Sequence, residues 1–127
     1  MHRITKIATF ALAATSVAVA IPSTAMAAAN PVEGYTRTDT GWTAYTFQRH
    51  DVNGGTITFK PNNLSSGGVC IRLKSVRTGA IFSDTICWTD HSTRTLATGV
   101  LAGTVFTIQA RKQASGTDTF WSGTMNY

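Results

Sequence analysis

Two cysteines, Cys70 and Cys87, lie symmetrically about a turn-forming dipeptide, Thr78 and Gly79. If this dipeptide forms a two-residue hairpin turn, cross-strand partners have residue numbers that add up to 157, and the two cysteines are directly opposite each other. Counted outward from the closing pair of the turn, the two cysteines occupy a non-hydrogen-bonded position. The Cα atoms of such a pair lie about 4.5 Å apart, at the short end of disulfide geometry. The spacing therefore predicts a β-hairpin closed by one cross-strand disulfide.

This register also sorts the neighbouring side chains onto two faces, because successive residues of a strand point to opposite sides. The apolar face carries Val69, Ile71, Leu73, Phe82, Ile86 and Trp88. The other face carries Arg72 and Lys74 together with the disulfide, so we expect the disulfide on the more polar side of the sheet. Asp84 falls on the apolar face, where a carboxylate is out of place. It must therefore have a partner, lie at the margin of the sheet or mark a bulge.

The remaining sequence is divided into short alternating runs rich in Thr, Val, Ile and aromatic residues, separated by Gly and Asn, with no helical periodicity. The predicted strands are residues 35–40, 42–49, 56–60, 69–76, 81–88, 92–97, 104–112 and 119–127. We expect two further hairpins, one around residues 53–55 and one around residues 115–116, the latter bringing residues 106–110 opposite residues 121–127. The prediction is an all-β fold, a small antiparallel β-sandwich over residues 35–127, with a small closed barrel as the alternative.

The N-terminus has the pattern of a secretory signal peptide. Arg3 and Lys6 precede an uncharged apolar run at residues 7–21, and Ala25 and Ala27 form a small-residue cleavage site. A transmembrane anchor is the alternative, but the run is shorter than the roughly 20 residues that a membrane span needs. We therefore predict a signal peptide at residues 1–27, a flexible N-terminal extension at residues 28–34, and a secreted, extracellular protein with no membrane attachment after cleavage.

The charge pattern does not indicate nucleic-acid binding. Removing Arg3 and Lys6 with the leader leaves nine Lys and Arg against six Asp and Glu, a net charge of +3. The basic residues are scattered instead of clustered in a stripe, so no nucleic-acid partner is expected.

Catalytic and metal-binding patterns are weak throughout the sequence. Asp90, His91 and Ser92 are consecutive, and consecutive residues rarely converge on one reaction centre. His50 and Asp51 lie far from them in the sequence, without the spacing of a metal site. We therefore predict a protein that is not an enzyme and that has no catalytic residues, metal or cofactor.

The sequence then points to binding. A short tail beside a folded domain can add to a partner as a strand, which makes the N-terminal extension a candidate site. The basic strand face is the second candidate. The predicted partner-binding residues are Pro31, Val32, Glu33, Tyr35, Arg72 and Lys74. Glycan binding through exposed aromatic residues is an alternative, with Trp42 and Tyr45 as the candidates.

Three features of the chain are typical of a small secreted protein. They are the Ala-rich leader, the single cysteine pair and the two segments at residues 105–111 and 120–127. It resembles the small secreted β-sandwich proteins of filamentous soil bacteria, among them the adaptor subunit of umbrella-shaped antibacterial toxin particles. That resemblance implies a β-sandwich that joins a lectin-bearing subunit to a large toxin subunit through an N-terminal extension.

We thus expect a secreted, non-catalytic protein-binding module, an adaptor or subunit of an extracellular complex such as an antibacterial toxin. The alternatives are a carbohydrate-binding module and a secreted protease or hydrolase inhibitor.

Overall fold

The structure is a computed structural model that describes residues 27–127. The predicted signal peptide lies outside the described residues, except for its last residue, Ala27. Nine β-strands and no helix occur among residues 27–127. The strands are Ala29–Tyr35 (β1), Thr43–Ala44 (β2), Arg49–Asp51 (β3), Gly55–Asn63 (β4), Val69–Ser75 (β5), Ile86–Trp88 (β6), Arg94–Val100 (β7), Thr104–Lys112 (β8) and Phe120–Asn126 (β9).

The strands form two antiparallel sheets, which confirms the predicted all-β, sandwich-like fold. The first sheet has the order β1-β9-β4-β7, and the second has the order β2-β8-β5-β6, with β3 also paired to β8. Strand β8 shows why the alternating pattern was informative. Its side chains at Phe106, Ile108 and Ala110 are buried, whereas those between them are half-buried on the outer face.

The core fills the space between the two sheets with apolar side chains from both. Phe59 of the first sheet meets Trp88 of the second sheet edge-on, with 5.0 Å between the ring centroids, and it also contacts Trp121 at 5.7 Å. Such edge-to-face aromatic pairs stabilise a core beyond their buried area. The buried cluster comprises Val32, Ile57, Phe59, Val69, Ile71, Leu73, Trp88, Leu96, Ala97, Phe106, Ile108, Ala110, Trp121 and Met125.

The predicted disulfide is present, and Cys70 pairs with Cys87 across β5 and β6. The turn beyond it differs from the prediction. Ser75 and Ala80 close a longer loop at residues 76–79, since the Ser75 N–H donates to the Ala80 carbonyl at 2.8 Å. Next to the turn, partners such as Lys74 and Ile81 therefore have numbers that add up to 155, not 157.

A bulge at residues 83–85 restores the predicted register at the cysteines. The Ser83 hydroxyl accepts the Leu73 N–H at 2.7 Å, and the Asp84 N–H donates to the Leu96 carbonyl at 3.1 Å. Asp84 is thus an exposed bulge residue and not part of the apolar face. Cys70 lies on the same face as Arg72, as predicted, but it is fully buried.

The predicted flexible extension at residues 28–34 is wrong, because these residues belong to the sandwich. Strand β1 pairs with β9 over its whole length, from Ala29 opposite Asn126 to Tyr35 opposite Phe120. One buried side chain, Val32, anchors it to the core. The strand predicted at residues 35–40 is correspondingly absent, since β1 ends at Tyr35.

Two predicted hairpins are also wrong. Strands β3 and β4 do not pair with each other, because β3 pairs with β8 and β4 lies between β7 and β9. Strands β8 and β9 belong to different sheets, so the segment between them crosses from one sheet to the other. Phe106 of β8 instead meets Tyr127, the residue that follows β9, with 5.1 Å between the ring centroids.

Candidate functional site

The four predicted binding residues of the N-terminal segment do not form one surface. Val32 is buried in the core, whereas Pro31, Glu33 and Tyr35 are exposed on the outer side of β1. The ring of Tyr35 lies 5.3 Å from that of Phe120, and its carbonyl accepts the hydroxyl of Tyr45 at 2.8 Å. These contacts tie the strand to the fold.

Strand β1 is the edge of its sheet, and its hydrogen-bonding edge is partly blocked. The Ala28 and Thr36 N–H groups donate to the carbonyls of Tyr127 and Thr119, which flank β9. The even-numbered residues of β1 therefore hydrogen-bond to β9, and the backbone groups of the odd-numbered residues point away from the sheet. Among these residues Pro31 has no N–H, and the Tyr35 carbonyl is taken by Tyr45. Proline on an edge strand is a common protection against strand addition, which weakens the case for this edge as a docking site.

The two other predicted residues, Arg72 and Lys74, lie on the outer face of the second sheet. Both alternate with the buried residues of β5, and their partners on β8 are Gln109 and Thr107. The Arg72 Nε donates to the Gln109 side-chain carbonyl at 2.7 Å, which fixes the guanidinium group.

Trp42 and Arg111 complete this site. The Arg72 guanidinium carbon lies 3.9 Å from the centroid of the Trp42 ring, and that of Arg111 lies 5.1 Å from it. A guanidinium group within about 6 Å of an indole ring is attracted by its quadrupole, which holds both groups in place. We call the outer surface formed by Trp42, Arg72, Lys74 and Arg111 the cationic face.

Among residues 27–127, no acidic side chain forms a salt bridge with the cationic face. The salt bridge found in residues 27–127 joins Arg37 to Asp39. That contact, together with the N–H of Gly41, lowers the pKa of the Asp39 carboxyl below its usual value. Within the cationic face, the Arg111 Nε is buried and lacks a hydrogen-bond partner in the described part of the chain. The face therefore presents three positive charges, two of them held by an aromatic ring.

The sequence alone did not identify Trp42 and Arg111 as part of the site. Arg111 lies beside Cys70 only because β8 pairs with β5, and these strands are far apart in sequence. The available signal was the outward alternation of Thr107, Gln109 and Arg111 along a correctly predicted strand. That pattern shows which face Arg111 occupies but not which strand lies next to it.

The two predicted sugar-stacking residues are both engaged within the protein. Trp42 is half-buried and has the Arg72 guanidinium group over its ring. Tyr45 is half-buried, and its hydroxyl accepts the indole N–H of Trp121 at 2.9 Å. Burial raises the pKa of the Tyr45 phenol above its ordinary value. The two rings thus do not form a shared, open stacking platform.

The histidine and aspartate residues considered for chemistry are dispersed. The Ser92 hydroxyl and the Ser92 N–H donate to the Asp90 carboxylate at 2.6 Å and 3.0 Å. These two hydrogen bonds lower the pKa of the Asp90 carboxyl. His91 points elsewhere, because its Nδ1 contacts the Pro61 carbonyl at 3.1 Å. Over residues 27–127, no three His, Cys, Asp or Glu side chains come together as metal ligands would.

Comparison with known proteins gives no relative from which a function could be transferred. No protein-family model matches the chain, and neither a curated protein nor a solved structure matches it. In the part of the chain that the structure describes, no helix is long and apolar enough to cross a membrane.

Proposed function

We propose that the protein is a secreted binding module that docks through its cationic face onto an acidic surface of another extracellular protein. The observation that carries the proposal is the stack of Arg72, Trp42 and Arg111, to which no carboxylate within residues 27–127 forms a salt bridge. A subunit that joins other components of a secreted complex, such as an antibacterial toxin, is one form of this function.

Pre-organisation supports this proposal. Binding normally costs free energy because long side chains must be ordered at the interface. Here the ring of Trp42 and the amide of Gln109 already restrict Arg72 in the free protein. Arg and Trp are also the residue types that most often dominate binding energy in protein interfaces.

The chemistry of the face favours carboxylates as its ligands. A guanidinium group offers several N–H donors in a plane and binds a carboxylate with two parallel hydrogen bonds. Lys74 adds a third cation next to Arg72 on the same strand face. An acidic partner would thus be attracted over a distance and then bound by directed hydrogen bonds, and both effects would weaken as salt is added.

The disulfide supports an extracellular setting for this binding module. The Cys70–Cys87 disulfide is consistent with an oxidising environment, where such bonds form and persist. Together with the predicted signal peptide, it supports a role outside the cell.

The test is capture of the partner from the host's culture supernatant by the tagged protein. We expect a partner protein in stoichiometric amount with the wild type, and at least about tenfold less with Arg72→Glu or Lys74→Glu. Lys60→Glu is the matched control, since Lys60 is an exposed lysine on the outer face of the opposite sheet. Circular dichroism and an intact disulfide would show that each variant is folded.

Three results would contradict the proposal. The first is equal recovery of the partner by Arg72→Glu, Lys74→Glu and the wild type. The second is an equal loss of the partner with Lys60→Glu, which would show that only net charge matters. The third is recovery of an acidic polysaccharide in place of a protein.

A further inference from the structure

A second surface continues from the cationic face at one end of the sandwich. It is built from the turn between β5 and β6, at residues 76–79, and the turn between β7 and β8, at residues 101–103. The Val76 N–H donates to the Val105 carbonyl at 3.0 Å, which brings the first turn against β8. We call the depression between these two turns the turn cleft.

Apolar side chains are exposed around the turn cleft. Leu101 is 80% exposed, and Val76 and Ile81 are each 40% exposed. Ile81 pairs with Lys74 across the hairpin and therefore shares its outer face. Neither Val76 nor Ile81 borders the cavities at the two turns, so Leu101 is the exposed apolar side chain of the turn cleft itself.

Two cavities flank Leu101 and give the turn cleft room for a ligand. One cavity of about 300 Å³ is lined by Phe82 and Val100, and another of about 510 Å³ is lined by Arg77 and Val105. Ser75, Thr78, Leu101 and Thr104 border both cavities, so the two are adjacent. The first is large enough for one branched or aromatic side chain.

The charge around the turn cleft favours an anion beside that side chain. Arg77 is exposed and lines the larger cavity, and no Asp or Glu borders either cavity in the described structure. The required ligand thus combines an apolar side chain with a nearby carboxylate. These two groups occur together in an acidic polypeptide segment that contains a Leu, Ile or Phe.

We infer that the turn cleft binds an apolar side chain and an adjacent carboxylate of the same partner protein that contacts the cationic face. This inference rests on the proposed function and extends it. Thr107, which pairs with Lys74, and Val105, which lines the larger cavity, lie about 7 Å apart on the outer face of β8, so one partner segment can run from the cationic face into the turn cleft.

The experiment is a titration of the isotope-labelled protein with N-acetyl-leucine, followed by two-dimensional NMR. We expect saturable shifts of the amides of Thr78, Leu101 and Thr104, with a dissociation constant in the millimolar range that is usual for so small a ligand. N-acetyl-leucinamide, which lacks the carboxylate, should bind at least about threefold more weakly, and Arg77→Gln should abolish this difference. Acetate alone should cause no saturable shift at Leu101.

Leu101→Ser tests the apolar half of the turn cleft. We expect it to weaken binding of N-acetyl-leucine at least about threefold, whereas Val52→Ser should not. Val52 is a suitable control because it is 71% exposed and borders neither cavity. The absence of saturable shifts, or shifts located away from the two turns, would overturn the inference. Such a result would leave the cationic face untouched, because that face is tested separately by the charge reversals.

Discussion

Tyr45 provides a stringent test of how strand β1 is held in the fold. Its hydroxyl donates to the carbonyl of Tyr35 in β1 at 2.8 Å and accepts the indole N–H of Trp121 at 2.9 Å. The substitution Tyr45→Phe removes only this hydroxyl. The ring itself, which lies 5.9 Å from the Trp121 ring, can keep its edge-on contact. We expect the free energy of unfolding to fall by about 1–3 kcal/mol.

The magnitude follows from the surroundings of the two lost partners. Trp121 is 1% exposed, so its N–H cannot reach water once the hydroxyl is gone. An unsatisfied buried donor costs about 1–3 kcal/mol, and this one accounts for nearly the whole effect. The Tyr35 carbonyl contributes little, because it belongs to an exposed edge residue and can be hydrated.

The assay is urea unfolding of the purified protein without its leader, followed by tryptophan fluorescence. Tyr127→Phe is the matched control, since the Tyr127 hydroxyl accepts a hydrogen bond from the Arg49 guanidinium at 3.1 Å and that group keeps other donors. We expect a smaller loss for this control, with an unchanged dependence on urea for both variants. A loss for Tyr45→Phe that is below about 0.5 kcal/mol, or no larger than that of the control, would refute the reasoning.

Three further outcomes are expected. Replacing both Cys70 and Cys87 with Ala should lower the free energy of unfolding by about 3 kcal/mol, because the disulfide closes a loop with a sequence separation of 17. In urea unfolding, reduction of the wild-type disulfide should lower the free energy of unfolding by the same amount. Tyr45 should ionise above the ordinary pH range of a tyrosine phenol in an absorbance titration. Because its folded pKa is raised, its contribution to stability is full below pH 10 and is lost as the pH rises above that value, and Tyr45→Phe should remove this loss. Gly123→Ala should destabilise the fold by about 1–3 kcal/mol in thermal unfolding, since a Cβ there would clash with the Lys60 carbonyl oxygen and the Phe59 ring, whereas Gly116→Ala, where a Cβ meets only ordinary contact distances, should cost less.

The disulfide hairpin shows both the strength and the weakness of predicting a register from sequence. The pairing of Cys70 with Cys87 is confirmed, although the turn was predicted too short. The turn has two residues more than predicted, and the bulge at residues 83–85, which was not predicted, adds two residues to the opposite strand. The two differences cancel, so the predicted register holds at the cysteines. Alternation identified the buried face, but the bulge depends on Ser83 replacing a backbone acceptor, which no local pattern reveals.

Strand β1 was missed because its own residues give a weak strand signal. Asn30, Pro31 and Gly34 are all uncommon in strands. The segment becomes a strand because β9 offers it a complete partner and because Val32 has a place in the core. This is a tertiary effect, in which a pairing distant in sequence overrides local preference.

The candidate site was predicted in part. Arg72 and Lys74 could be assigned to an outer strand face from alternation alone, and the structure places them there. Their neighbours could not be predicted, because the contacts with Trp42 and Arg111 depend on the pairing of β5 with β8 and on the path of the loop before β2. The local hydrogen bonds of Asp39 shape part of that loop.

The most direct test of the cationic face is site-specific photo-crosslinking in the culture supernatant. The crosslinking amino acid p-benzoylphenylalanine would replace Thr107, which lies beside Lys74 on the outer face of the second sheet, or Thr124, which lies beside Lys60 on the outer face of the first. We predict that the Thr107 position crosslinks to a protein partner and that the Thr124 position does not. A crosslink formed only from the Thr124 position would contradict the assignment of the cationic face as the binding surface.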